Sequence, residues 1–198
     1  MRKANPELEK HIRQVALELL MTKEPAEIGM RDIASACEVS PTTLYYYYVD
    51  KDALFERVKL DCLVDLDAHI EAGTACAVSS RDKMRAGMKA FRDWSFANPR
   101  VALLVMDRFK RNVTAAPGEM EGYYRSFALA ERLLASDPDL ARGKDVKLEA
   151  NLAIAMLWGG ISSILLTMTS PEYWDRGEYF TDCLIDRIMT PFMNGGKR

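Results

Sequence analysis

Apolar positions recur with a helical period from one end of this chain to the other. Ile12, Val15, Ala16, Leu19 and Leu20 stand at i, i+3, i+4, i+7 and i+8, an unbroken stripe along one helix. Asn5 can cap that helix, Pro6 suits its first position, and Glu7 and Glu9 face the positive end of its dipole. The spacing then predicts a short helix from Met30 to Cys37, a second from Pro41 capped by Ser40, and a long helix opened by Asp50. Leu54, Phe55, Val58, Cys62 and Leu66 share one face of the long helix. Ser79 and Asp82 have capping-box spacing ahead of Met84, Met88, Phe91 and Trp94. Asn98-Pro99 ends that helix and starts another over Val101 to Phe109. Pro117-Gly118 precedes a stripe of Met120, Tyr123, Tyr124, Phe127 and Leu134. Asp137-Pro138-Asp139 and Gly143 predict a loop, and Ser170-Pro171 breaks the chain before a last helix striped by Phe180, Leu184, Ile188 and Phe192. No stretch alternates with period two, and no internal repeat appears. The fold class is all-α.

Composition adds bounds. A chain of 198 residues, 48% hydrophobic and 28% charged, can bury a substantial core. Its formal net charge of -2 supplies no overall basic footprint, so an anionic partner would have to meet charges gathered on one face. Cys37, Cys62, Cys76 and Cys183 are scattered, the pattern of free thiols in a reducing cytoplasm. The opening residues Met1 to Pro6 lack the apolar stretch of a signal peptide, so a cytoplasmic location is expected. The uncharged segment Asn151 to Ser170 is long enough to cross a bilayer. Its Asn151, Gly159, Gly160, Ser162, Ser163, Thr167 and Thr169 instead predict a soluble helix buried on nearly every side, with no membrane involved.

The densest pattern lies between Ile28 and Phe55, where two short helices flank a tight turn. Ile33, Cys37, Val39 and Leu44 can pack together, and small Ala34 allows close approach. A helix pair of this kind can lay its second member in a DNA major groove. That second helix begins with Thr42 and Thr43, whose hydroxyls suit phosphates or base edges and whose methyls suit thymine. Four consecutive tyrosines follow. Neighbouring helical side chains diverge by about 100°, so they cannot all point inward. Tyr48, one turn beyond Leu44, is the core position, and Tyr45, Tyr46 and Tyr47 must include exposed phenols.

Arg31-Asp32-Ile33-Ala34, Val39-Ser40, Thr43-Leu44-Tyr45-Tyr46, and Lys51 followed by Leu54 together resemble the TetR family of regulators over roughly Ile12 to Phe55. The resemblance implies a helix-turn-helix DNA-binding domain at 1–52 and a helical ligand-sensing and dimerisation domain at 53–198. Carried over by position, the residues facing DNA are Arg31, Pro41, Thr42, Thr43, Tyr45, Tyr46, Tyr47 and Lys51. Glu38 stands where the family's turn usually has glycine, Thr42 replaces another common glycine, and Tyr47 replaces a frequent histidine.

The resemblance further implies a homodimer that reads a palindromic double-stranded operator and releases it on binding a small-molecule effector. Methionine and aromatic side chains suit an adaptable apolar pocket. Met88, Phe91, Trp94, Met106, Met120, Tyr123, Tyr124, Phe127, Met156 and Ser162 are the candidate lining. The last two long helices are the expected dimer interface, with Gly159, Gly160, Ser162 and Ser163 permitting close approach and Phe180, Leu184 and Ile188 apolar. An enzyme is not expected. His11 and His69 are the only histidines, and no GxSxG elbow, phosphate-binding glycine loop or metal-ligand cluster is present. No cofactor is implied, and His69 reads as a surface or satisfied histidine. The competing reading is a helical small-molecule-binding or interaction protein with a degenerate helix-turn-helix.

Overall fold

The computed structural model describes residues 5–106, 125–167 and 176–193, with side chains to 190. Among them every regular element is helical: α1 (Pro6–Thr22), α2 (Met30–Ala36), α3 (Pro41–Tyr47), α4 (Lys51–Thr74), α5 (Ser80–Ala97), α6 (Pro99–Met106), α7 (Arg125–Ala135), α8 (Pro138–Ala141), α9 (Val146–Thr167) and α10 (Gly177–Met193), with a 3-10 turn at Pro25–Glu27. The chain divides into two compact units, 1–63 and 64–198, so the boundary falls inside α4 rather than at its start.

The starts of the helices follow from capping chemistry. Asn5 Oδ1 accepts from the amides of Glu7 and Leu8, and Ser40 Oγ accepts from the Thr43 amide. Asp50 Oδ1 accepts from the Ala53 amide at the head of α4. Ser79 Oγ accepts from the Asp82 amide, but Asp82 answers the Ser79 hydroxyl rather than its backbone N–H, so the box is closed by side chains. Asp137, expected only in a loop, caps the one-turn α8.

In the first unit, Ile12, Ala16, Ile33, Ala34, Leu44 and Leu54 are almost wholly buried. The turn between α2 and α3 places Glu38 at φ 56°, the left-handed region expected where the family has glycine. The second unit buries Met84, Met88, Phe91 and Trp94 from α5 with Ala153, Leu157 and Ile161 from α9. Two glycines there allow close helix approach. A Cβ on Gly73 would lie 2.7 Å from Ala90 Cβ, and one on Gly160 would collide with Leu184 Cδ2. Gly159, by contrast, meets nothing within 4 Å and sits on an exposed face.

One expectation is overturned. Only 28% of the most apolar window of α9 is buried. Its inner face carries Ala150, Ala153, Leu157, Ile161 and Leu165, whereas Leu148, Leu152, Met156 and Leu166 face outward. Hydrophobicity on all sides made the helix look fully interior, but a single chain covers one side only. By length and composition α9 also passes as a membrane span.

α10 is tied to α5 by charge. The Arg92 side chain, 8% exposed, meets Asp93 at 2.7 Å and Asp182 at 2.6 Å, and Lys89 reaches Asp182 at 3.3 Å. Partial burial works against the Asp182 carboxylate, but Lys89 and Arg92 outweigh it and hold its pKa below the usual range. A depressed folded-state pKa contributes stability above the unfolded value, lost as pH falls through the folded one. Asp182→Asn is therefore expected to cost roughly 1 kcal/mol at pH 7, discounted because Asp182 is 46% exposed. The gap from the parent should close in acid below the ordinary carboxylate pKa, as denaturant melts across pH would register.

Glu38 gives a second expectation. A left-handed non-glycine residue costs about 1–2 kcal/mol, part of which glycine returns through its looser unfolded chain. Glu38→Gly should stabilise the protein by roughly 0.5–1 kcal/mol in the same melts, whereas Glu38→Val should destabilise it.

Candidate nucleic-acid interface

α3 has seven residues, too few to persist alone, so its packing decides which side chains it offers. Leu44 is fully buried and Tyr48, one turn on, is 7% exposed. That pair fixes the inner face, and the position of Tyr48 agrees with the spacing. Its phenol lies 3.4 Å from both Arg13 Nη1 and Glu9 Oε1. Arg13 in turn meets Glu9 at 3.3 Å and hydrogen-bonds Asp61. Burial raises the Tyr48 pKa, with Arg13 opposing and Glu9 reinforcing the rise. The phenol stays protonated and keeps α1, the end of α3 and α4 in one network.

With that face held, Tyr45 and Tyr46 project into solvent at 53% and 57% exposure. Pro41 and Thr42 are also exposed, and Thr43 is half-buried. The Thr43 hydroxyl shares a 2.8 Å hydrogen bond with Ser40 Oγ. Tyr47 is half-buried: its phenol accepts from the Asn5 amide at 3.0 Å, and its ring meets Tyr46 edge-on at 5.2 Å. Tyr47 therefore braces Tyr46 and the start of α1. Arg31 is exposed in the first turn of α2. Lys51 is half-buried; its ammonium donates to the Pro25 carbonyl at 2.8 Å and lies 5.8 Å from the centre of the Phe55 ring. An ammonium has three donors, so this bond leaves others for a phosphate. Neither the Tyr47 bond nor that of Lys51 had a sequence signal, since both join residues far apart in the chain.

The second unit holds a small apolar cavity of about 70 Å3, open in part to solvent. Met88 and Phe91 line it, as do Ile70, Leu129, Leu157 and Trp158. Phe91 stacks on Trp158 at 6.0 Å, and Phe127 meets Trp158 edge-on at 6.3 Å. The other candidates, Phe127 included, are not among the lining residues. Trp94 is buried and its indole donates to Asp65 Oδ2 at 2.8 Å. Met156 is 47% exposed, and the Ser162 hydroxyl donates to the Gly159 carbonyl. Met106 ends α6 away from the lining, and Met120, Tyr123 and Tyr124 lie outside the described residues. Ser126 and Lys83 line the cavity, but single polar residues in helices gave no sign of it.

Among the described residues no cluster of His, Cys, Asp or Glu could hold a metal ion, and His69 is exposed. The four cysteines are free thiols: Cys37 and Cys62 buried, Cys76 exposed and Cys183 half-buried.

Comparison with known proteins agrees with this geometry. Residues 12–58 match the family model described as bacterial regulatory proteins, tetR family. The fatty acid degradation regulator FadR from Bacillus halodurans superposes with a TM-score of 0.71 at 14% identity, covering 93% of this chain and 97% of its own. FadR from Bacillus subtilis, solved with stearoyl-CoA, gives 0.68 at 11% identity over 89% and 97%. A TetR-like transcriptional regulator from Rhodococcus sp. RHA1 gives 0.67 at 16% over 98% and 100%. At such identities the superpositions establish the fold. No curated protein matches the chain. Residues 12–58 thus match the TetR-family segment, and the fold along nearly the whole length is the one shared by these regulators.

Proposed function

We propose that this chain is a DNA-binding transcriptional regulator of the TetR family, a cytoplasmic homodimeric repressor that reads a palindromic operator through α3 and leaves it when a small molecule enters the cavity of the second unit. The observation that carries the reading is the two-sidedness of α3. Leu44 and Tyr48 anchor it while Tyr45 and Tyr46 stand exposed beside Thr42. Phenols and hydroxyls on such a face suit phosphates and base edges, and Arg31 adds charge. A twofold dimer would set two such helices in half-sites roughly 34–36 Å apart.

The outward face of α9 supports the dimer. Leu152 and Met156, about half exposed, continue a stripe with Leu148 and Leu166, and Gly159 lies on the same side. Phe180 at the start of α10 adds exposed apolar surface. A monomer gains nothing by leaving that surface in water. For the effector, the apolar walls favour an apolar body, in keeping with the stearoyl-CoA held by the Bacillus subtilis protein. Release is a population shift: the ligand must favour a conformation whose α3 helices sit at the wrong spacing. α4 is the expected lever, since its Leu54 lies in one core and its Ile70 lines the cavity. A coupling of about 1–3 kcal/mol would weaken operator binding roughly 5–150-fold.

Selection of bound duplexes from a random pool, followed by titration in fluorescence anisotropy, tests the DNA reading. Tyr46→Ala should weaken the selected site by about 1–3 kcal/mol and leave random DNA unchanged. Arg31→Ala should weaken all sequences and lower the salt slope by about 1. If both variants bind like the parent, α3 is not the reading helix; if no sequence is enriched, the degenerate helix-turn-helix reading takes its place. For the dimer, Leu152→Glu with Met156→Glu should give a helical monomer in sedimentation velocity. A dimer surviving both changes would remove α9 from the interface.

A further inference from the structure

Along α5 the cavity has a charged end and an aromatic one. Lys83, Gly87 and Phe91 stand four residues apart on one face of the helix, and all three line it. Phe91 stacks on Trp158 at the aromatic end. A Cβ added at Gly87 would meet Thr74 Cγ2 at 3.4 Å, so the end of α4 lies against α5 one turn from Lys83.

The hydroxyls of the wall are already engaged. Thr74 donates to the Glu71 carbonyl at 2.9 Å, and Ser126 donates to Oδ1 of the buried Asp67 at 2.7 Å. Further along α5, Arg85 pairs with Asp186, and Lys89 and Arg92 pair with Asp182. Lys83 is different. It is half-buried in the cavity wall and makes no hydrogen bond or ion pair with its side chain among the described residues. No carboxylate lines the cavity among those residues either. A wall with a free ammonium and no anion favours a ligand that brings the acceptor, most of all a charged one. Size sets the rest. The space of about 70 Å3 is roughly half of the ~150 Å3 that admits benzene, room for about three to five carbons.

We propose that the effector is a small apolar monocarboxylate. Its tail fills the space between Met88 and Leu129 toward the Phe91–Trp158 stack, and its carboxylate, on the open side, accepts from the Lys83 ammonium. This rests on the reading that the cavity is the effector site.

The test uses the full chain with carbon-13 methionine methyls and three probes of equal length: hexanoate, hexan-1-ol and hexylamine, titrated at pH 7. The Met84 and Met88 methyls, which belong to lining residues, report binding by NMR even when it is weak. Hexanoate should bind about tenfold more tightly than hexan-1-ol, in the range of a charge-assisted hydrogen bond, with hexylamine weakest. Lys83→Met keeps the apolar stem and loses no internal bond; it should abolish the acid preference and leave hexan-1-ol within about threefold. Lys83→Arg should retain the preference. Equal or tighter binding of the alcohol or the amine overturns the proposal, as does a preference that survives Lys83→Met. If Lys83→Met does not fold, the rank order in the unaltered protein decides. Ala130→Leu, which narrows the cavity, separates the two layers of the argument. Probes that bind without the acid preference and are lost in this variant leave the cavity as the site and overturn only the carboxylate assignment. If no probe moves the Met84 and Met88 signals, or if Ala130→Leu changes nothing, both readings fall.

Discussion

The amino-terminal unit depends on holding a seven-residue helix that cannot hold itself. Helix nucleation is unfavourable, and a segment of this length gains too few backbone bonds to recover the cost. Burial of Leu44 supplies the missing stability, and the Tyr48 network with Glu9, Arg13 and Asp61 supplies direction. The hydrogen bonds at 3.4 Å are long, so their individual strength is modest. Their value lies in joining three elements at one point. A rotation of α3 by one residue would carry Tyr48 into water and Tyr47 into the core, so the exposure of Tyr45 and Tyr46 follows from the burial of its neighbours.

The second unit solves a different problem. α9 is apolar around its whole circumference, and a helix of that kind needs cover on every side. Within the chain it is covered on the face of Ala153, Leu157 and Ile161. The opposite face retains Leu152 and Met156, and the small residues split between the two roles. Gly160 admits Leu184 of α10, whereas Gly159 lies open. The same helix therefore contributes Trp158 to the cavity and Met156 to the exposed stripe, residues two apart with separate surroundings.

These contrasts show what the sequence carried. The stripe of α1, the caps at Asn5 and Ser40, the inward Tyr48 and the left-handed turn at Glu38 were all legible, because each depends on spacing within a few residues. Met156 was not placeable: in a helix apolar on all sides, periodicity cannot separate the inner face from the outer. Trp94 looked like pocket lining because it continues the stripe of Met88 and Phe91, yet its indole is committed to Asp65 on another helix. Asp67 gave no signal at all. A carboxylate in a charged helix reads as solvated until the neighbouring helices are known to close over it.

The electrostatics of the amino-terminal unit follow from the same constraint. With a net charge of -2 and Glu38 in the turn, the chain has little general attraction for phosphates. Lys51 already spends one bond on Pro25. Affinity that does not come from charge must come from fit, and fit depends on the rigidity of the presenting helix. Tyr47 acts on that rigidity: by bonding Asn5 and abutting the Tyr46 ring, it restricts the rotamers of a neighbour that is itself more than half exposed. Ordering a side chain before it binds removes part of the entropic cost of binding. An uncharged helix that presents tyrosines to solvent thus has reason to keep one of them facing the protein.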